Sequence, residues 1–252
     1  MKKIYYLVSL PRAGNTVSAA VINQNKKIKM TANSILPQIM DKMDRVHKGD
    51  AGQNFPDSHS FLNLIKGTFQ SYYKDWEADV ILERGAWGKP RLMNLITKIE
   101  EPQFIILHRP LLECLASFIN VVKPRNNKGE PITDLYCTHL MNDDEIMGEN
   151  LLSINNILNS KFKYHLIEYK NFVKNPQEEI NKLCNFVNIK PHSIDVNQLT
   201  QLNINGVEYN DEVIHYPFHK IKEKKIVETP CDVEKILGKK IIKKYSEKEI
   251  RL

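Results

Sequence analysis

Apolar residues in this chain come as short solid runs, separated by longer stretches in which they recur every three or four positions. Four runs, at residues 4–10, 79–83, 103–108 and 164–169, are brief and nearly uninterrupted, the pattern of strands buried on both faces. Helical periodicity predicts helices at 17–24, 32–47, 60–76, 89–100, 111–121, 143–160, 176–187 and 233–245. Strands that each lead into a helix argue for an α/β domain with a central parallel sheet of about four to five strands flanked by helices. The stretches 48–57 and 123–134 hold clustered Gly and Pro and read as loops, long enough to serve as lids or substrate walls.

With 252 residues and 42% hydrophobic content, the chain can bury one sizeable core, and a single domain spanning 1–252 is expected. The 36 Lys and Arg against 30 Asp and Glu give a formal charge of +6. That excess favours anionic partners without reaching the strong basicity of a dedicated nucleic-acid binder, and no nucleic acid is expected. Cys114, Cys137, Cys184 and Cys231 are widely spaced and form no CxxC pair, so they suggest neither a zinc site nor a disulfide framework. The N-terminal MKK followed by an apolar run imitates a signal peptide, but the run stops at Pro11-Arg12 without a cleavage site. No apolar run is long enough to span a membrane, and a cytoplasmic location is expected. Oligomeric state is not encoded in any of these features.

The strongest chemical signal is VSLPRAGNTVSAAV, residues 8–21, where a strand breaks into Pro-Arg-Ala-Gly-Asn-Thr and a helix follows at once. The first N–H groups of a helix lack partners and its dipole is positive there, so this joint suits an anion. A Walker loop would need a glycine and a lysine where Ser9 and Asn15 stand. What remains is a leaner, P-loop-like cradle: Gly14 admits the backbone, the N–H groups around Asn15, Thr16 and Val17 face the anion, and Arg12 adds charge.

A second signal is FIILHRPLLECLASF, residues 104–118, in which a buried strand ends at Arg109 and a helix carries Ser117 eight residues later. Ligands of open α/β sheets bind at the carboxyl edge of the strands, where Arg109 falls. The cluster KIKEKK at 220–225 is a further basic run, which commonly means only a solvated face.

Taken together, LPRAGNT and RPLLECLAS resemble the two phosphate-binding signatures of the sulfotransferase superfamily, bacterial and phage members included. HLIEYKNFVKNPQEEINKLCNFVNI, DVILERGAWGKP and YPFHKIKEKK continue the likeness. The resemblance implies a donor, 3'-phosphoadenosine 5'-phosphosulfate (PAPS), a product, 3'-phosphoadenosine 5'-phosphate (PAP), and no metal. It implies that Arg12, Ala13, Gly14, Asn15, Thr16 and Val17 hold the 5' phosphosulfate, that Arg109 and Ser117 hold the 3' phosphate, and that Tyr169 contacts the adenine. Lys220 and Lys222 would close over the 3' phosphate. The implied activity is transfer of a sulfuryl group to a hydroxyl or amine of a small-molecule or carbohydrate acceptor.

The histidine base of cytosolic members has no counterpart after the second predicted strand, which reads Glu83-Arg84-Gly85-Ala86. Glu83, at that strand end, is the first candidate for the base, with His47 and Asp44 as alternatives. Arg84 would assist the transferring group. Two other readings stay open: a P-loop small-molecule kinase, which needs magnesium, and a non-catalytic binder of RNA or another polyanion.

Overall fold

A computed structural model describes residues 2–204, 206–221, 224–250 and 252. Its centre is a five-stranded sheet in the order β2-β3-β1-β4-β5, formed by β1 (Lys3–Ser9), β2 (Ile28–Met30), β3 (Val80–Arg84), β4 (Phe104–His108) and β5 (Tyr164–Glu168). Every pairing is parallel. The four apolar runs become β1, β3, β4 and β5. The added edge strand β2 is the three-residue IKM beside Lys26 and Lys27, too short to show a period of its own.

Helices cover the sheet on both sides, as a parallel sheet requires. They are α1 (Asn15–Ile22), α2 (Leu36–Lys48), α3 (Asp50–Asn54), α4 (Ser58–Tyr72), α5 (Pro90–Thr97), α6 (Leu111–Val122), α7 (Thr133–Leu140), α8 (Ile146–Leu158), α9 (Tyr169–Lys174), α10 (Pro176–Phe186) and α11 (Val233–Tyr245). The loop expected at 48–57 contains α3, and α7 begins at the end of the loop expected at 123–134. Tyr169 opens α9 rather than ending a strand. Helix α2 starts four residues later than the periodicity suggests; the preceding N–H groups of Ala32 and Asn33 donate to the Tyr209 hydroxyl (2.7 and 3.3 Å).

Trp87, Tyr5, Tyr6, Tyr73 and Phe104 are among the largest fully buried side chains, and the Tyr6 ring packs 5.1 Å from Trp87 and 6.0 Å from Phe69. Strand order fixes where a ligand belongs. From β1 the chain moves to the β2-β3 side of the sheet, whereas from β4 it moves to the β5 side. The loops leaving β1 and β4 therefore diverge and open a crevice at their carboxyl ends. Arg12 lies in the first loop and Arg109 follows the second strand.

Candidate functional site

The loop between β1 and α1 is braced from within. Asn15, at the position a Walker lysine would hold, donates from Nδ2 to the Leu10 carbonyl (3.1 Å) and accepts from Ser9 Oγ (2.5 Å). Arg12 is left-handed at φ 69°, and Gly14, the residue preceding α1, has φ 98°. A Cβ on Gly14 would lie 2.5 Å from Cδ2 of Tyr169, so both its backbone and the tyrosine ring demand glycine. No side chain caps α1 and its first turn has no acid. Among the described residues nothing accepts from the backbone N–H groups of Asn15, Thr16 and Val17. Donors so placed suit an anion.

The second loop meets the first directly. Arg109 donates from Nη1 to the Arg12 carbonyl (3.2 Å), and Arg12 donates from Nε to Ser117 Oγ (3.3 Å). The Arg109 guanidinium lies over the Tyr169 ring at 4.6 Å, a cation–π distance. The other face of the site thus has one tyrosine packed against Gly14 and under Arg109. Burial and the neighbouring Arg109 push the Arg12 pKa down, with Asp211 acting in the opposite direction. Two guanidinium groups this close form a strong anion attractor.

At the end of β3, Glu83 and Arg84 face opposite sides of the strand. Glu83 is completely buried. Its Oε2 accepts from the Tyr73 hydroxyl, and its Oε1 has no partner. Burial pushes its carboxyl pKa up to about 8, against Ser34 and Arg84, which favours the protonated form. Arg84 is buried too; its Nη2 donates to the Ser9 carbonyl (3.3 Å) and its Nε has no partner. Burial lowers its pKa.

Not every residue singled out from the sequence comes to this crevice. His47 stacks on Phe61 with ring centroids 4.0 Å apart. It lies ten residues along α2 from Pro37, whose Cγ packs against Gly85, so it is about 15 Å away along the helix axis. Asp44 is committed to Lys48 (2.7 Å) and lies 3.9 Å from Arg91. Lys220 is exposed, and Lys222 lies outside the described residues.

The sequence reading passed over Asp211 and His219. Asp211 is buried and grips His219 twice, accepting from its backbone N–H (2.9 Å) at Oδ2 and lying 2.7 Å from its Nδ1 at Oδ1. An ionised Asp211 places the proton on Nδ1 and leaves the Nε2 lone pair free to accept. The imidazole stacks on Tyr209 at 4.7 Å. Burial raises the Tyr209 pKa, and the carbonyl of Phe218, which precedes His219, accepts from Arg12 Nη1 (3.3 Å) and Thr16 Oγ1 (3.4 Å). His219 therefore follows directly on a residue that contacts the β1 loop. The signal was available in YPFHK, where attention falls on the lysines, but nothing in the spacing ties His219 to Asp211.

Among the described residues no group of three His, Cys, Asp or Glu side chains gathers in a metal-binding arrangement, and no helix is long and apolar enough to cross a membrane. No protein-family model matches the chain, and comparison with curated protein sequences finds no match. Solved structures do match. The chain is similar to the sulfotransferase domain from the curacin biosynthetic pathway, at 14% identity and a TM-score of 0.55 over 98% of each chain. It is similar to the sulfotransferase domain from the Synechococcus PCC 7002 olefin synthase, at 12% identity and a TM-score of 0.54 over 100% of this chain and 97% of that one. A sulfotransferase from Alicyclobacillus acidocaldarius matches at 12% identity and a TM-score of 0.50 over 77% of this chain and 84% of that one. The chain has the sulfotransferase fold.

Proposed function

We propose that this protein, as one domain over 1–252, transfers a sulfuryl group from PAPS to a hydroxyl or amine of a small-molecule or carbohydrate acceptor. The observation that carries the reading is the junction of the two loops: Arg12 reaches Ser117, and Arg109 reaches the Arg12 carbonyl, beside an uncapped helix N-terminus. A ligand with phosphates at 3' and 5' needs two anion subsites joined by an aromatic surface, and Tyr169 lies between them. Bound PAPS supplies an activated sulfuryl group and a phosphate leaving group.

The chain's own residues then divide the work. The N–H groups of Asn15, Thr16 and Val17, with Arg12 and the backbone of Ala13 and Gly14, hold the 5' side; Arg109 and Ser117 hold the 3' side. Arg84 places a buried cation at the neighbouring strand end, where charge on the transferring group is stabilised. The acceptor must lose a proton, and the arrangement favours His219, oriented by Asp211, as its receiver at Nε2. Glu83 is a weaker candidate because its carboxyl is completely buried with the Tyr73 hydroxyl on Oε2, and His47 faces Phe61. Asn15 and Ser9 are spent on bracing the loop, which does not favour triphosphate chemistry.

The test is turnover: protein, PAPS and a panel of sugars, lipids, phenols and amines, with release of PAP measured in chelator-treated buffer. Acceptor-dependent PAP release is expected for at least one class. Release of ADP from ATP and magnesium, with PAPS untouched across the panel, would replace this reading with a kinase.

A further inference from the structure

We infer that Glu113 is a built-in competitor for the 3' phosphate, which sets how tightly the nucleotide is held and how fast it leaves. The inference rests on the proposed PAP site and concerns which edge of Arg109 that site offers. Arg109 is buried, with 7% of its side chain exposed, and two of its five N–H donors have partners. Its Nη1 is tied to the Arg12 carbonyl at 3.2 Å, a main-chain acceptor that cannot swing away. Its Nε is tied to Glu113 Oε2 at 2.9 Å. Among the described residues Nη2 has no hydrogen-bond partner.

A guanidinium grips a phosphate best through two parallel N–H donors. One of the two Nη1 protons goes to backbone; the side-on pair of Nε with Nη2 is the edge clear of that bond, and Glu113 holds half of it. Glu113 is the partner able to yield, since its side chain is 42% exposed and sits on the first turn of α6. That helix start does not depend on Glu113 for capping: the Glu249 carboxylate accepts from the Leu111 N–H (2.8 Å) and the Leu112 N–H (3.0 Å). The incoming 3' phosphate displaces Glu113 from Nε. When product leaves, the carboxylate returns, so the basic cluster is never left without an anion and PAP is not retained.

A purely structural Glu113 and a competing Glu113 differ in the sign of one measurement. Calorimetric titration of the full chain at low salt compares PAP with adenosine 5'-phosphosulfate, which has no 3' phosphate, for wild type, Glu113→Gln and Glu113→Asp. Glu113→Gln is expected to bind PAP about tenfold more tightly with a slower off-rate, as one nearby like charge is removed. Its affinity for adenosine 5'-phosphosulfate should be unchanged, and Glu113→Asp should stay near wild type. If Glu113→Gln binds PAP equally or more weakly while wild type binds well, Glu113 merely holds Arg109 in place and the inference is overturned. Equal tightening for both nucleotides overturns it too, because the effect would then be a general change of field. If wild type binds neither nucleotide, the PAP site itself is wrong, a failure visible before any variant is made.

Discussion

The crevice is made by two regions of opposite construction. On one side, Arg12, Gly14 and Arg109 stand within a few residues of strand ends and helix starts and Ser117 lies inside α6, so the regular elements set their backbone positions. On the other, Tyr209, Asp211, Phe218 and His219 lie between α10 and α11, where the described residues of 187–232 form no helix or strand longer than the isolated bridge between Ile204 and Val207. Side-chain contacts reaching far along the chain place this segment, such as Tyr209 on Ala32 and Phe218 on Arg12. The proposed anion subsites thus belong to the scaffold, while the proposed proton acceptor belongs to a strap that the scaffold positions.

Breaking the strap should have the largest effect. His219→Ala is expected to lower turnover by about 10² to 10⁴, the usual range for losing a general base, with PAP affinity changing little. Asp211→Asn should follow in the same direction with a smaller loss. Turnover surviving in His219→Ala but collapsing in Glu83→Gln would return the base to the sheet.

Breaking the scaffold side should instead appear in binding. Arg109→Ala is expected to weaken PAP by roughly 1.5 to 3 kcal/mol, the range for a charge-assisted contact, and adenosine 5'-phosphosulfate far less. Calorimetry on the pair decides it; equal losses would remove Arg109 from the 3' subsite.

Glu83 sharpens the comparison through stability. Its folded pKa of about 8 stands above the ordinary carboxyl value of 4.5, so the folded chain binds the extra proton between those values. Stability from this group is complete below about pH 4.5 and is lost as pH rises toward 8. Glu83→Gln, which keeps the neutral shape, should flatten that decline when Tm is followed from pH 5 to 9. An unchanged slope would show that Glu83 titrates like an exposed acid. The smallest effect is expected for Lys220→Ala, whose exposed side chain should alter PAP affinity by less than about threefold and only at low salt.

The contrast also explains which parts could be read from the residues alone. Solid apolar runs disclosed β1, β4 and the first residues of β3, which are buried on both faces; β5, an edge strand with only Ile167 buried, was read from a shorter apolar run. Strand β2 escaped because three residues carry no period, and α3 and α7 escaped because short helices beside Gly and Pro resemble loops. Arg12 and Arg109 stood out because strand-to-helix joints are local in sequence. That Arg12 would reach across to Ser117 follows from a register between β1 and β4 that no single segment contains. His219 and Asp211 were hidden for a stronger reason. Their pairing depends on the path of an irregular segment, and irregular segments have no periodicity to read. The raised pKa of Glu83 likewise comes from complete burial, which a charged residue at a strand end does not announce.

The central claim is that the two loops build one nucleotide site with an anion subsite at each end. The most direct measurement is calorimetric titration of the wild-type protein with PAP in chelator, beside the same titration with ATP and magnesium. The account predicts one-to-one PAP binding that magnesium does not alter and that weakens with salt, and little or no heat from ATP. Tight ATP binding that requires magnesium, with none for PAP, would contradict it.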